Sequence, residues 1–306
     1  TPVGATSRRV FGPVFLVKGR NVLAIGLGLL AAASYGAADF FGGLASRRAN
    51  PIRVTGIALF IGLLFLLVVS IFLRPEFSDQ TILYGVLAGI CSGLALTMFY
   101  AALALGPISI VSPLTAVAGA VLPVIVDVAL GQSLGAFTVL AIIIIVAAAG
   151  LVSVVPSKSI PLPSLKALLL SMGGGAGFAG IFIFLDQTPA DSGIAPLVVM
   201  RIVGVSMLGV AIIALNTRDR GLQKPKDKFP KILIGMIAIS AVLDVSANLF
   251  FLIGTREGVL AVVAVVTSLY PIGTVALARI VLKEKLANLQ WVGVGLAIFG
   301  CVLLAI

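Results

Sequence analysis

The chain has 306 residues, 60% of them hydrophobic and only 10% charged, with a mean hydropathy of +1.23 and a formal net charge of +10. Soluble domains carry about 25% charged residues, and a chain this apolar could not cover its surface in water. There is no histidine, which excludes His-based metal sites and His acid–base chemistry. The lysines and arginines fall in short breaks between apolar runs, which excludes the basic stripe of a nucleic-acid-binding protein.

Residues 1–20 carry Arg8, Arg9, Lys18 and Arg20 around the short apolar stretch Val10–Val17. No cleavage-like site follows, so this reads as a basic tail lying on the membrane surface rather than a signal peptide. A spanning helix needs about 20 apolar residues. Runs of that size are predicted over 22–44, 52–73, 81–104, 108–130, 136–155, 165–185, 195–215, 231–253, 259–281 and 288–306. Turn and charge signals separate them, among them Arg47-Arg48-Ala49-Asn50-Pro51, Gly106-Pro107, the Pro-rich stretch 156–163 and Lys283-Glu284-Lys285. The expectation is an all-α integral membrane protein with ten transmembrane helices. Small residues recur inside the runs, as in Gly42-Gly43 and Gly173–Gly177, where close helix packing in lipid explains them. Cys91 and Cys301 both lie in apolar runs and read as small core residues without a disulfide.

The sequence also repeats itself. Shifted by about 152 positions, 103–154 falls on 255–306. Gly106 then meets Gly258, Val111 meets Val263, Thr115 meets Thr267, Leu130 meets Leu282 and Leu134 meets Leu286. Five spans lie on each side of the Pro-rich stretch. An odd number of spans forces the second copy to be inverted, an arrangement many secondary transporters use to build a midplane site. The expected division is a basic tail (1–20), a first five-helix repeat (21–155), a linker (156–164) and a second five-helix repeat (165–306).

Near the C-terminus, Arg256-Glu257-Gly258 leads into an apolar run containing Ser268-Leu269-Tyr270-Pro271, then Leu282-Lys283-Glu284-Lys285-Leu286, then a run with Gly293, Gly295 and Gly300. This resembles the proline–glutamate–glycine pattern of the drug/metabolite transporter superfamily in its ten-helix EamA-type bacterial form. In the first half Gly119 stands where the repeat would place the proline, and Gln132 replaces the glutamate. Ser34-Tyr35-Gly36-Ala37-Ala38-Asp39-Phe40 is similar to the opening of the same family. The resemblance implies a basket of ten helices in the cell (inner) membrane, whose cavity is lined by helices 1, 3, 4, 6, 8 and 9 and opens alternately to either side.

Among eleven carboxylates, Asp244 stands out. It falls midway along the eighth run, with Ser240 and Asn248 one turn to either side on the same helical face. A charge there costs at least ~2.5–3.5 kcal/mol on insertion scales, so it must face a cavity or a partner. Either a substrate or proton site or a helix–helix lock satisfies that need. Asp39 follows Tyr35 by one turn, and an aromatic ring beside a carboxylate suits an amine or cation; the bland alternative is a solvated helix end. Arg201 can pair with an aspartate, bind an anionic group or snorkel to the headgroups. Tyr100, Tyr270 and Phe99 are candidate cavity walls or ordinary packing. Asp127 and Arg279 are expected at the interface, and Glu284 as a capping or gating residue.

Together these features point to a secondary carrier for a small metabolite or drug, an exporter coupled to protons through a carboxylate that can be neutralised. No Gly-x-x-x-x-Gly-Lys-Ser/Thr loop is present, so no nucleotide drives it directly, and no cofactor is called for. Scattered carboxylates and the lack of histidine argue against an enzyme. The alternative is a lipid flippase or a non-transporting scaffold. A chain holding both repeats completes its own cavity, so a monomer is expected.

Ten spans place both termini on one side. Arg8, Arg9, Lys18, Arg20, Arg74 and Arg256 share that side, and the other cations outside the spans fall opposite. The positive-inside rule then puts the termini outside, against the pull of the basic tail. A green fluorescent protein inserted within 221–228 is therefore expected to fluoresce. Activity of an externally active phosphatase at the same place would reverse the orientation.

Overall fold

The computed structural model describes residues 18–106, 108–131, 134–152, 164–220, 229–282 and 288–305. The tail up to residue 17, Pro107, Gln132, the stretch 156–163 and Glu284 lie outside the described residues, as does the side chain of Arg279. In chain order the helices are α1 (Lys18–Ser46), α2 (Pro51–Phe72), α3 (Asp79–Leu105), α4 (Ile108–Ala129), α5 (Ala136–Val152), α6 (Leu165–Asp186), α7 (Ala195–Arg220), α8 (Lys231–Glu257), α9 (Leu260–Thr267), α10 (Tyr270–Leu282) and α11 (Asn288–Ala305). A short 3₁₀ turn, Ala190–Ser192, precedes α7. Among the described residues six helices are long and apolar enough to cross a membrane: α1, α2, α3, α6, α7 and α8. The apolar parts of α4, α5, α9–α10 and α11 are shorter.

Local chemistry sets the helix starts. Asn50 Oδ1 accepts the backbone N–H of Ile52 at 3.0 Å, with Pro51 at the first helical position, where its missing N–H costs nothing. Ser78 and Ser164 cap α3 and α6 by accepting the N–H groups of Thr81 and Ala167, each at 3.2 Å. The predicted ninth span is not continuous: it breaks at Ser268-Leu269 into α9 and α10. Pro271 has no N–H to return to the carbonyl of Thr267, so the α-helical ladder cannot run through. Tighter bonds bridge the break, Leu269 N–H to Val266 O at 3.2 Å and Ile272 N–H to Leu269 O at 2.9 Å. Ser268 Oγ donates to Val265 O at 2.6 Å.

The packing runs opposite to that of a soluble bundle. Over the first half of α3 the buried face is small or polar, with Gly85, Ala88, Gly89, Ser92, Gly93 and Ala95, while Leu83 and Leu94 are exposed. In lipid, apolar side chains lose nothing by facing outward, and contact is gained where backbones approach closely. Two such approaches are equivalent in the two halves. On α1, a Cβ at Gly36 would lie 2.9 Å from both Gly273 Cα and Thr274 N of α10. On α6, one at Gly175 would lie 2.6 Å from Ala118 Cβ and 3.3 Å from Gly119 N of α4.

The same correspondence runs through the most extensive helix contacts. With α9–α10 counted as one span, exchanging each span for the one five places on returns the main packing pairs: α1 on α8 becomes α6 on α3, and α1 on α9–α10 becomes α6 on α4. The pairs α2–α7, α5–α11 and α4–α9 map onto themselves.

Because backbone meets the Gly36 position, nothing there can yield. Gly36→Ala is expected to destabilise the protein by about 1–3 kcal/mol. Gly26→Ala, where no atom lies within 4 Å, is expected to be neutral. Thermal unfolding of the detergent-purified variants measures both; equal midpoints would contradict the close α1–α10 crossing.

Candidate functional site: a buried ion pair and an aromatic-walled cavity

Asp244 is held by Arg201. The guanidinium Nη2 of Arg201, from α7, contacts Asp244 Oδ2 of α8, and the two residues are 2% and 6% exposed. Arg201 therefore does not snorkel; its charge stays at depth and is neutralised there. Asn248, one turn along α8, donates its Nδ2 to Asp244 O at 2.7 Å and reaches Asp244 Oδ2 at 3.5 Å. Its Oδ1 is buried without a hydrogen-bond partner.

One turn the other way, Ser240 stitches three helices together. Its hydroxyl donates to Ala38 O of α1 at 2.8 Å, leaving the hydroxyl of Tyr100, on α3, to donate to Ser240 Oγ at 3.1 Å. Gly42 on α1 makes room: a Cβ there would sit 2.9 Å from Ser240 Oγ and overlap Tyr100.

Beside this polar seam lies a narrow cavity lined by Tyr35, Asp39, Thr115, Ala116, Gly119, Phe178, Phe182, Ser268 and Tyr270. These residues come from α1, α4, α6 and the broken α9–α10 span. The rings pack tightly: Tyr35 lies 6.4 Å from Phe178 and 6.2 Å from Phe182, and Phe99 lies 5.7 Å from Phe178 and 6.4 Å from Tyr270. Only about 10 Å³ is open to the centre of a water-sized sphere, room for roughly one water. Asp39 is 4% exposed and borders the cavity. Among the described residues its carboxylate takes part in no hydrogen bond or ion pair. The Tyr35 hydroxyl is also buried without a hydrogen-bond partner, and Tyr270 donates its hydroxyl to Ser112 O at 3.1 Å.

All seven candidates from the sequence (Tyr35, Asp39, Tyr100, Arg201, Asp244, Asn248 and Tyr270) thus meet in one buried region, but in two groups. Asp244, Arg201 and Asn248 form the polar lock, joined through Ser240 to Tyr100. Asp39, Tyr35 and Tyr270 border the cavity. Phe178 and Phe182 were not anticipated from the sequence. The signal was available, since two aromatics one turn apart follow the glycine run of α6.

Asp127 departs from expectation. It is 5% exposed rather than interfacial, and its Oδ2 accepts the Ala261 N–H at 2.7 Å. A carboxylate from α4 thereby satisfies the first turn of α9, where backbone donors lack helical partners. Among the described residues no three His, Cys, Asp or Glu side chains converge as metal ligands.

Apolar helices packed through small residues around buried charges define a multi-pass membrane protein. The EamA-like transporter family matches the chain twice, over residues 22–154 and 165–306, and the chain belongs to that family. No curated protein sequence matches it. A solved structure described as "Crystal structure of protein" aligns with a TM-score of 0.72 at 10% identity, covering 92% of this chain and 95% of the other. At that identity the likeness is one of fold.

Removing one member of a buried pair strands the other. Arg201→Met alone is expected to cost about 3–5 kcal/mol, and adding Asp244→Leu is expected to restore most of the loss. A double-mutant cycle in thermal midpoints reads this directly. Additive losses would show that the two side chains do not act as a pair.

Proposed function

We propose that this protein is a secondary transporter that exports a small metabolite or drug across the cell membrane by alternating access, in exchange for protons. The observation that carries this is the placement of Asp39: a buried carboxylate without a hydrogen-bond partner among the described residues, bordering an aromatic cavity built from both matched halves of the chain. A cavity shared by two repeats opens to one side or the other as the repeats rock against each other.

In this reading the bundle has ten spans, α9 and α10 forming one broken span, arranged as two inverted five-helix repeats (21–155 and 165–306). The exchange symmetry of the packing pairs supports that arrangement. The break at Ser268-Leu269 gives the cavity wall a joint, and irregular backbone is tolerated at membrane depth only where protein or a cavity covers it. Asp39 is the carboxylate that takes the proton, Asp244 being neutralised by Arg201. The chain works as a monomer, because both halves of the cavity come from it, and no step calls for an enzyme's chemistry.

One feature favours the lipid flippase. A second cleft of about 500 Å³ lies between the end of α2, the start of α7 and the end of α8, with Arg74 and Arg256 beside Phe72, Leu73, Ile194 and Leu252. It shares no lining residue with the aromatic cavity, which is why the small-molecule carrier is preferred.

The test is transport. Compounds chosen by thermal shift against wild type and Asp39→Asn are added to proteoliposomes holding a pH gradient. Compound-dependent proton movement is expected with wild type and not with Asp39→Asn. Exchange of labelled compound without proton movement would remove the coupling. Absence of any exchange, with fluorescent lipid crossing instead, would turn the assignment to a flippase.

A further inference from the structure

The chemistry of the cavity lining narrows what it can hold. Four charged side chains are buried among the described residues: Asp39, Asp127, Arg201 and Asp244. Arg201 and Asp244 cancel, and Asp127 is committed to the first turn of α9. Asp39 is left, and no lysine or arginine borders its cavity. A lone carboxylate at that depth is costly until something positive shares the site.

The hydroxyl inventory points the same way. Thr115 Oγ1 donates to Val111 O at 2.9 Å and lies 3.1 Å from Ser171 O, so its proton is spent on the backbone. Ser268 Oγ and Tyr270 Oη are likewise spent as donors on Val265 O and Ser112 O. Of the lining hydroxyls only that of Tyr35 lacks a hydrogen-bond partner. What remains facing the cavity is a carboxylate, hydroxyl lone pairs, one unspent O–H donor at Tyr35 and the rings of Tyr35, Phe178, Phe182 and Tyr270. Carboxylates and lone pairs accept hydrogen bonds, and aromatic faces attract cations. An anion would meet no countercharge, whereas an ammonium meets the Asp39 carboxylate directly and replaces the proton that would otherwise neutralise it.

We propose that the substrate of this site is a small organic monocation, an ammonium with an apolar or aromatic body, whose charged nitrogen sits against Asp39 and whose body packs among the Tyr35, Phe178 and Phe182 rings. The proposal takes the site from the carrier reading above and adds the class of ligand. Arg201 sets the selectivity from a distance: by neutralising Asp244 it holds the region at a single negative charge, which matches one positive charge rather than two.

The probes are phenethylammonium and benzyltrimethylammonium, beside the neutral 2-phenylethanol and the anionic phenylacetate, titrated calorimetrically into the purified full chain. At least one ammonium is expected to bind about tenfold or more tighter than both other isosteres. Asp39→Asn is expected to lose that binding by about tenfold or more while keeping or raising the thermal midpoint, because it removes an uncompensated buried charge. Phe178→Leu, which leaves the carboxylate in place, is expected to weaken ammonium binding several-fold, and it carries the test if Asp39→Asn fails to fold. Ammonium binding no tighter than that of phenylacetate or 2-phenylethanol, or unchanged in both variants, overturns the proposal. So does the absence of ammonium binding, which would mean that Asp39 holds only a proton. Counterflow in proteoliposomes separates the two readings. Asp39-dependent ammonium binding without counterflow keeps the cation site and removes the carrier; counterflow of neutral or anionic compounds alone keeps the carrier and removes the cation site.

Discussion

Two opposite charges at the centre of a helical bundle in lipid can persist only by holding each other, and the Arg201–Asp244 pair is the contact on which much else rests. It joins α7 to α8 at depth. Around it, Gly62 of α2 lets Val245 and the Arg201 guanidinium approach, a Cβ there lying 3.0 Å from Val245 Cγ2 and 3.7 Å from Arg201 Cζ. The same face of α8 carries Asn248 and Ser240, and through Ser240 the seam reaches Ala38 of α1 and Tyr100 of α3. One face of one helix thus fixes four neighbours, and among the described residues it leaves Asp39 at the cavity without a cation beside it.

The remaining architecture is that of a bundle whose helices meet through backbone rather than bulky side chains. The Gly36 and Gly175 crossings set α1 against α10 and α6 against α4 at equivalent places. Such contacts are short-ranged and smooth, which suits elements that slide or rock while the hydrogen-bonded seam stays intact. The broken span adds a joint, and its start is tied to the other half of the chain, where Asp127 accepts the N–H of Ala261 in the first turn of α9. The two halves are therefore held together by a carboxylate–backbone bond at the start of α9 as well as by packing.

Much of this was legible in the sequence because the bilayer imposes length and composition on any helix that crosses it. The apolar runs and their turn signals placed the helices to within a few residues, and the lone carboxylate in the eighth run marked α8 as the polar hub. The break in the ninth run was not foreseen, although Pro271 carried the signal: apolar periodicity is blind to a missing N–H inside a run. Asp127 misled because a carboxylate near the end of a run has the same sequence whether it faces headgroups or the first turn of another helix.

The amino-acid sequence by itself determined that this is a multi-pass helical membrane protein of two related halves, since hydropathy, helix length and repeat spacing are local properties that lipid turns directly into structure. Only the tertiary structure decided which charges cancel. Arg201 was open to pairing, ligand binding or snorkelling until α7 and α8 were packed. Asp39 became the uncompensated group only once Asp244 was seen to be spoken for, and Phe178 and Phe182 became cavity walls only when α6 was laid against α1. Charge balance and cavity walls are sums over residues far apart in the chain, and no window of sequence contains them.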